Sequence, residues 1–228
     1  MLSPTDIATR LNEVRDRIAR AARRAGREPT AVRLVLASKT QPVEAIRSAY
    51  EAGAREFGEN YVQEAATKRD ALGDLNDLRW HLIGHLQTNK AKLAAALFDV
   101  VQTVDSERVA SALGRANPIR PPSALIEVNL GGEAAKSGIA PDKAELLLDS
   151  IRDKLEILGL MTVPPVSPQS GAARAYFVQL HELRDRLAAN SGLALSELSM
   201  GMTDDFEIGI EEGATMVRVG RAVFGERK

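Results

Sequence analysis

The chain has 228 residues, 44% of them hydrophobic, with a net charge of −1 at pH 7 and no cysteine. That balance argues against a nucleic-acid partner held by bulk charge, and the missing thiols exclude disulfides, thiolate metal sites and cysteine nucleophiles. The start, MLSPTDIATRLNEV, lacks the basic and apolar blocks of a signal peptide, and no apolar run approaches the roughly 20 residues that cross a bilayer, so a cytoplasmic protein without a membrane partner is expected.

Ser3-Pro4-Thr5-Asp6 predicts a helix start, with Ser3 as N-cap and Pro4 at the first helical position. Ile7, Leu11, Val14, Ile18 and Ala21/Ala22 recur at spacings of three and four, which predicts one buried stripe, ended by Gly26 and Pro29. An apolar strand over 32–38 runs straight into Lys39, and a helix over 42–52 follows. Further strands are predicted at 56–58, 80–84, 100–104, 124–130, 156–163, 197–200 and 215–220. Helical patterns fall between them at 61–72, 88–97, 106–116, 141–155, 171–190 and 204–212. Eight apolar strands separated by helices predict an α/β fold, a closed parallel (β/α)8 TIM barrel, with residues 1–228 forming a single domain. Only eight residues follow Gly220, too few for a full last outer helix, so the N-terminal helix is expected to replace it. The segment VPPVSPQSGAAR, 163–174, is a long loop after strand six, of a length that is often functional.

In such barrels the active site lies at the C-terminal strand ends, which places Lys39 at the mouth. A half-sheltered amine is a candidate Schiff-base nucleophile, and the plainer alternative is a lysine paired with Glu59. LSMGMTDD at the end of strand seven offers Ser199 and Thr203, and Gly220 and Arg221 follow strand eight. Backbone N–H groups and hydroxyls gathered on one rim suit a phosphate, so lysine and cup together suggest a phosphorylated aldehyde. Arg218 shares its strand face with Gly220; it is either one half of an internal pair with Glu127 or a donor to a ligand ring nitrogen. Lys136, in the loop LGGEAAKSG, is either an exposed loop lysine or a second amine at the mouth. His81 and His85, read as strand positions, lie about 13 Å apart, too far to grip one metal ion. The run QTNKAK, 87–92, reads as a solvated helix face.

ASKTQP, FGENYVQE, WHLIGHLQTNK, LSMGMTDD and GATMVRVGRAVFGER, in this order, resemble the pyridoxal-phosphate-binding homeostasis proteins (YggS/PROSC), whose fold is similar to the N-terminal barrel of alanine racemase. The resemblance implies pyridoxal 5′-phosphate held as a Schiff base on Lys39. It implies phosphate contacts from Ser199, Thr203 and the backbone of Gly220 and Arg221. It also places Arg218 opposite the pyridine nitrogen, with Asn60, His85 and Asn89 lining the mouth. The family commonly carries proline where this chain has His85, which leaves that residue without an inherited role. The racemase draws its second acid/base from a C-terminal domain, no counterpart of which is expected here, and a guanidinium opposite the ring nitrogen is expected to weaken the cofactor as an electron sink. The expectation is a non-catalytic monomer that stores, buffers or delivers the cofactor to recipient apo-enzymes. The alternatives are a pyridoxal-phosphate-dependent racemase of low activity and a Schiff-base aldolase.

Overall fold

A computed structural model describes residues 2–133, 135–165 and 171–226. Eight strands, β1 (Arg33–Ala37), β2 (Glu56–Glu59), β3 (Arg79–Leu82), β4 (Val100–Val104), β5 (Ser123–Glu127), β6 (Ile157–Met161), β7 (Glu197–Ser199) and β8 (Met216–Val219), pair in parallel and in chain order. Pairing of β1 with β8, Val35 opposite Arg218, closes the ring. This is the (β/α)8 barrel that the strand count predicts. Helices α2 (Val43–Glu51), α3 (Val62–Ala71), α4 (Ala91–Leu97), α5 (Glu107–Ala116), α6 (Ala144–Ile151), α7 (Arg174–Ser191) and α8 (Phe206–Glu211) alternate with the strands.

The first helix, α1 (Pro4–Arg24), forms where its sequence requires. The Ser3 side chain accepts the Asp6 N–H while the Asp6 carboxylate takes the Ser3 N–H, a reciprocal capping box. Ile7, Leu11, Val14, Ile18, Ala21 and Ala22 are all buried, and each of the four larger side chains contributes about 1.5–3 kcal/mol of apolar burial. This face packs on α2, α8 and α9 (Arg221–Phe224). Arg17 pairs with Glu207 at 2.7 Å and lies over the Phe206 ring. Four residues of α9 leave the barrel flank open, and α1 covers it as expected.

Two differences from the sequence reading have local causes. The strand expected over 124–130 stops at Glu127, because the chain turns after Val128, which bridges to Ile139. The helix expected over 141–155 opens as a tight 3-10 turn at Pro141–Lys143 and ends at Ile151. Of the long loop 163–174, residues 166–170 lie outside the described residues.

Alternation along the strands divides the core in two. Phe57, Val217 and Val219 point outward into the layer between sheet and helices, whereas Val35, Leu125, Met161 and Met216 form a small apolar cluster inside the barrel. The remainder of the interior is polar, and it leads to the site.

Candidate functional site

A cavity of about 790 Å³ opens at the C-terminal ends of the strands. Of the residues singled out from the sequence, Lys39, Asn60, Lys136, Thr203, Arg218, Gly220 and Arg221 line it, together with His85 and Glu127. Ser199 and Asn89 do not line it. Asn89 sits exposed in a 3-10 turn, Thr88–Lys90, outside the cavity lining.

Lys39 follows Ser38 at the exit of β1. Glu59, the partner anticipated for it, is engaged elsewhere: its Oε1 accepts from Ser38 Oγ at 2.6 Å and from Lys68 Nζ at 2.8 Å. The physical reason is strand alternation. Glu59 ends β2 on the outer face, toward α3, and is fully buried there. Burial holds its carboxyl above the ordinary carboxylate range, against the lowering effect of those two hydrogen bonds.

Asn60, one residue on, lines the cavity with its Oδ1 buried and lacking a hydrogen-bond partner among the described residues. A buried acceptor left unpaired costs about 1–3 kcal/mol, which marks it as a group prepared for a donor. Gly84 permits this placement, since a Cβ there would meet the Asn60 carbonyl oxygen at 2.4 Å.

Arg218 is buried beneath the cavity and makes no ion pair with Glu127, among the described residues. Its Nη1 donates to Ser199 Oγ at 2.6 Å and its Nη2 to the Thr162 carbonyl at 2.8 Å. Burial pulls its pKa below the ordinary guanidinium range to about 10, partly offset by the charges of Glu127 and Asp205, so it remains a cation at neutral pH. Ser199 therefore has a different place from the rim position read from the sequence. Its inward direction on β7 sets it below Arg218, where it donates to Gln102 Oε1 at 2.6 Å. Gln102 Nε2 approaches His81 Nδ1 at 2.9 Å, and His81 Nε2 lies 3.0 Å from Glu56. A polar file thus runs up the barrel interior, Glu56–His81–Gln102–Ser199–Arg218. The sequence did not single out Gln102, although a lone amide in the buried strand VVQTV was its visible signal.

Thr203, Gly220 and Arg221 line the rim beyond β7 and β8, the latter strand pairing with β1. A Cβ at Gly220 would meet the Ala37 carbonyl at 2.8 Å, so the backbone here closes tightly on β1. The Arg221 side chain donates to Asp204, another residue of the cavity wall, at 2.6 Å. Lys136 Nζ pairs with Glu133 at 2.5 Å and donates to the Pro164 carbonyl at 3.3 Å. Glu127 accepts from Ser137 at 3.2 Å, and its second oxygen has no hydrogen-bond partner among the described residues. His85 is half-exposed beside Asp105, whereas His81 belongs to the interior file, so the two histidines serve separate surroundings.

The alanine racemase N-terminal domain family model matches residues 9–228, which defines the class: a barrel of the alanine racemase N-terminal domain type. Among curated proteins, the pyridoxal phosphate homeostasis protein of Aquifex aeolicus (strain VF5) is 44% identical over 225 residues, covering 96% of this chain and 97% of that one. The protein of the same name from Pseudomonas aeruginosa is 43% identical, covering 97% and 96%. PipY of Synechococcus elongatus PCC7942, solved with PLP bound, is 38% identical with a TM-score of 0.85, covering 96% of this chain and all of that one. Its PLP-free structure gives a TM-score of 0.86. The chain belongs to the pyridoxal phosphate homeostasis protein family.

Proposed function

We propose that this protein binds pyridoxal 5′-phosphate in the barrel-mouth cavity and acts in its intracellular homeostasis, as a store, buffer or donor to recipient apo-enzymes rather than as a catalyst. In this reading it works as a cytoplasmic monomer; among the described residues no helix is long and apolar enough to cross a membrane. The observation that carries the reading is the joint presence, around one cavity, of Lys39 and a buried guanidinium that makes no direct ion pair among the described residues.

The residues present fit the group. Lys39 supplies the amine for covalent attachment, Thr203, Gly220 and Arg221 line the rim beyond β7 and β8, and Asn60, whose buried Oδ1 has no hydrogen-bond partner among the described residues, lines the same cavity. When bound, the cofactor supplies an electrophilic aldehyde and a ring able to take up electron density. Arg218 keeps its own proton at neutral pH, because even its lowered pKa of about 10 lies well above 7. Set against the cofactor's ring nitrogen, a guanidinium that keeps its proton would donate a hydrogen bond and not a proton, which would favour holding the cofactor over using it.

Borohydride reduction of cofactor-loaded protein followed by peptide mapping tests this. The expected result is a yellow protein labelled at Lys39. Protein that takes up no added cofactor, or that carries the label only at other lysines, defeats the reading. Solvent deuterium entering Cα of alanine or serine at a catalytic rate would defeat the non-catalytic part.

A further inference from the structure

The amine proposed to hold the cofactor leaves the backbone at a turn that its own residues do not favour. Thr40 has φ of +64°, the left-handed region in which a β-branched side chain is crowded. A residue stays there only where its surroundings over-determine it. The surroundings at this turn come from β2 and α3.

The Thr40 N–H donates to Glu64 Oε1 at 2.6 Å. The Ser38 hydroxyl donates to Glu59 Oε1 at 2.6 Å, and the Ser38 carbonyl accepts from Lys68 Nζ at 2.8 Å. Lys68 Nζ also donates to Glu59 Oε1 at 2.8 Å and to Glu64 Oε1 at 2.6 Å. An ammonium group has three N–H donors. Each goes either to Ser38 itself or to a carboxylate that holds Ser38 or Thr40. Lys68 is 5% exposed, so this is a buried hub rather than a surface pair. Its helical spacing from Glu64, four residues along α3, lets one face of one turn grip both sides of Lys39.

We propose that Lys68 is a positioning residue for Lys39: through Ser38, Glu59 and Glu64 it fixes the left-handed turn at Thr40 and so the direction in which the Lys39 side chain enters the cavity. Lys68 does not line that cavity. The inference rests on the reading that Lys39 carries the cofactor, and it deepens that reading. A buried ion pair that merely supported the fold would have no need of a backbone carbonyl and a backbone N–H from this one turn.

The test uses the full chain, with pyridoxal 5′-phosphate as covalent probe and pyridoxine 5′-phosphate, which lacks the aldehyde, as non-covalent probe. Lys68→Met is expected to slow borohydride-trapped attachment at Lys39 about tenfold or more, the scale set by misdirecting a reacting group. Affinity for pyridoxine 5′-phosphate should stay within about twofold, because phosphate and ring contacts remain; a change of that size is under 0.5 kcal/mol. Attachment at the parental rate, or a parallel fall in both probes, overturns the proposal. If Lys68→Met does not fold, a cycle of Glu64→Ala with Thr40→Gly decides. Glycine occupies the left-handed region without crowding, so Thr40→Gly should recover part of the attachment rate lost in Glu64→Ala. Additive effects in that cycle overturn the proposal. Parent protein that gains no label at Lys39 removes the underlying functional reading, an outcome distinct from either.

Discussion

Arg218→Met separates a guanidinium kept for a ligand from one kept for the fold. Burial lowers the Arg218 pKa below the ordinary guanidinium range to about 10, so holding its charge costs the cofactor-free protein about 3 kcal/mol. Against this stand two hydrogen bonds from a cation, to Ser199 Oγ at 2.6 Å and to the Thr162 carbonyl at 2.8 Å, together contributing about 3–6 kcal/mol. Methionine forfeits those bonds, relieves the buried charge and adds apolar contact beside Met161 and Met216. The opposing terms leave the cofactor-free variant within about 2 kcal/mol of the parent, whereas breaking a true buried ion pair costs about 3–5 kcal/mol. Urea unfolding followed by far-UV circular dichroism measures this, provided the two proteins share one denaturant slope. Titration with pyridoxal 5′-phosphate gives the other half. Loss of one charge-assisted hydrogen bond lowers affinity about 10- to 100-fold. A stability loss above about 4 kcal/mol, or unchanged affinity, refutes the reasoning.

Three further outcomes are expected. Gly84→Ala puts a methyl group 2.4 Å from the Asn60 carbonyl, and backbone cannot yield as a side chain would; a melting scan should show a loss of about 1–3 kcal/mol, with a clear fall in pyridoxine 5′-phosphate affinity by calorimetry. Burial first, and then the charge of Asp105, raises the Glu127 pKa against the Ser137 hydrogen bond and the charge of Arg218. Its contribution to stability is therefore complete below the unfolded value near 4.5 and is lost as pH rises through the raised folded value. Glu127→Gln should accordingly be more stable than the parent at pH 7, the two urea midpoints converging toward about pH 4, and parallel curves would contradict that assignment. If Lys136 serves as a second amine, Lys39→Ala retains some trapped cofactor and the double variant with Lys136→Ala retains less; equal retention confines Lys136 to its contacts with Glu133 and Pro164.

What the sequence made legible follows physical range. The α1 stripe and eight strands could be read because each is a local pattern, three- and four-residue spacing or an apolar run between caps. The strand over 124–130 ran long because Val128 and Leu130 continue the apolar run after the chain has left the sheet. The cavity rim was legible for the same local reason: Lys39, Thr203 and Gly220 each lie just beyond a strand end. The supports were not. Ser199 reads as a rim hydroxyl until its inward direction sets it below Arg218, and Glu59 reads as the partner of Lys39 until its outward direction gives it to Lys68. Contacts between Gln102 and residues 97 positions away, or between Lys68 and Ser38 across 30, depend on which strands become neighbours. No spacing rule along one chain encodes that.

Both supports pass through β2, on opposite faces. Glu56 points inward to His81 and begins the file that ends at Arg218, while Glu59, three positions on, points outward and anchors the hub around Lys68. An odd separation along a strand necessarily gives opposite faces. The register of β2 thus decides at once whether the barrel has an internal base for Arg218 and an external brace for Lys39. Phe57 sets that register: it is fully buried in the outer layer against the Trp80 ring, with centroids 6.0 Å apart, and it pairs with Trp80 across the sheet. A slip of one residue would put Phe57 into the barrel and Glu56 into the helix layer, losing about 1.5–3 kcal/mol of aromatic burial along with both polar supports. In a four-residue strand, the aromatic that stabilises the fold also fixes where the two charges on either side of it must go.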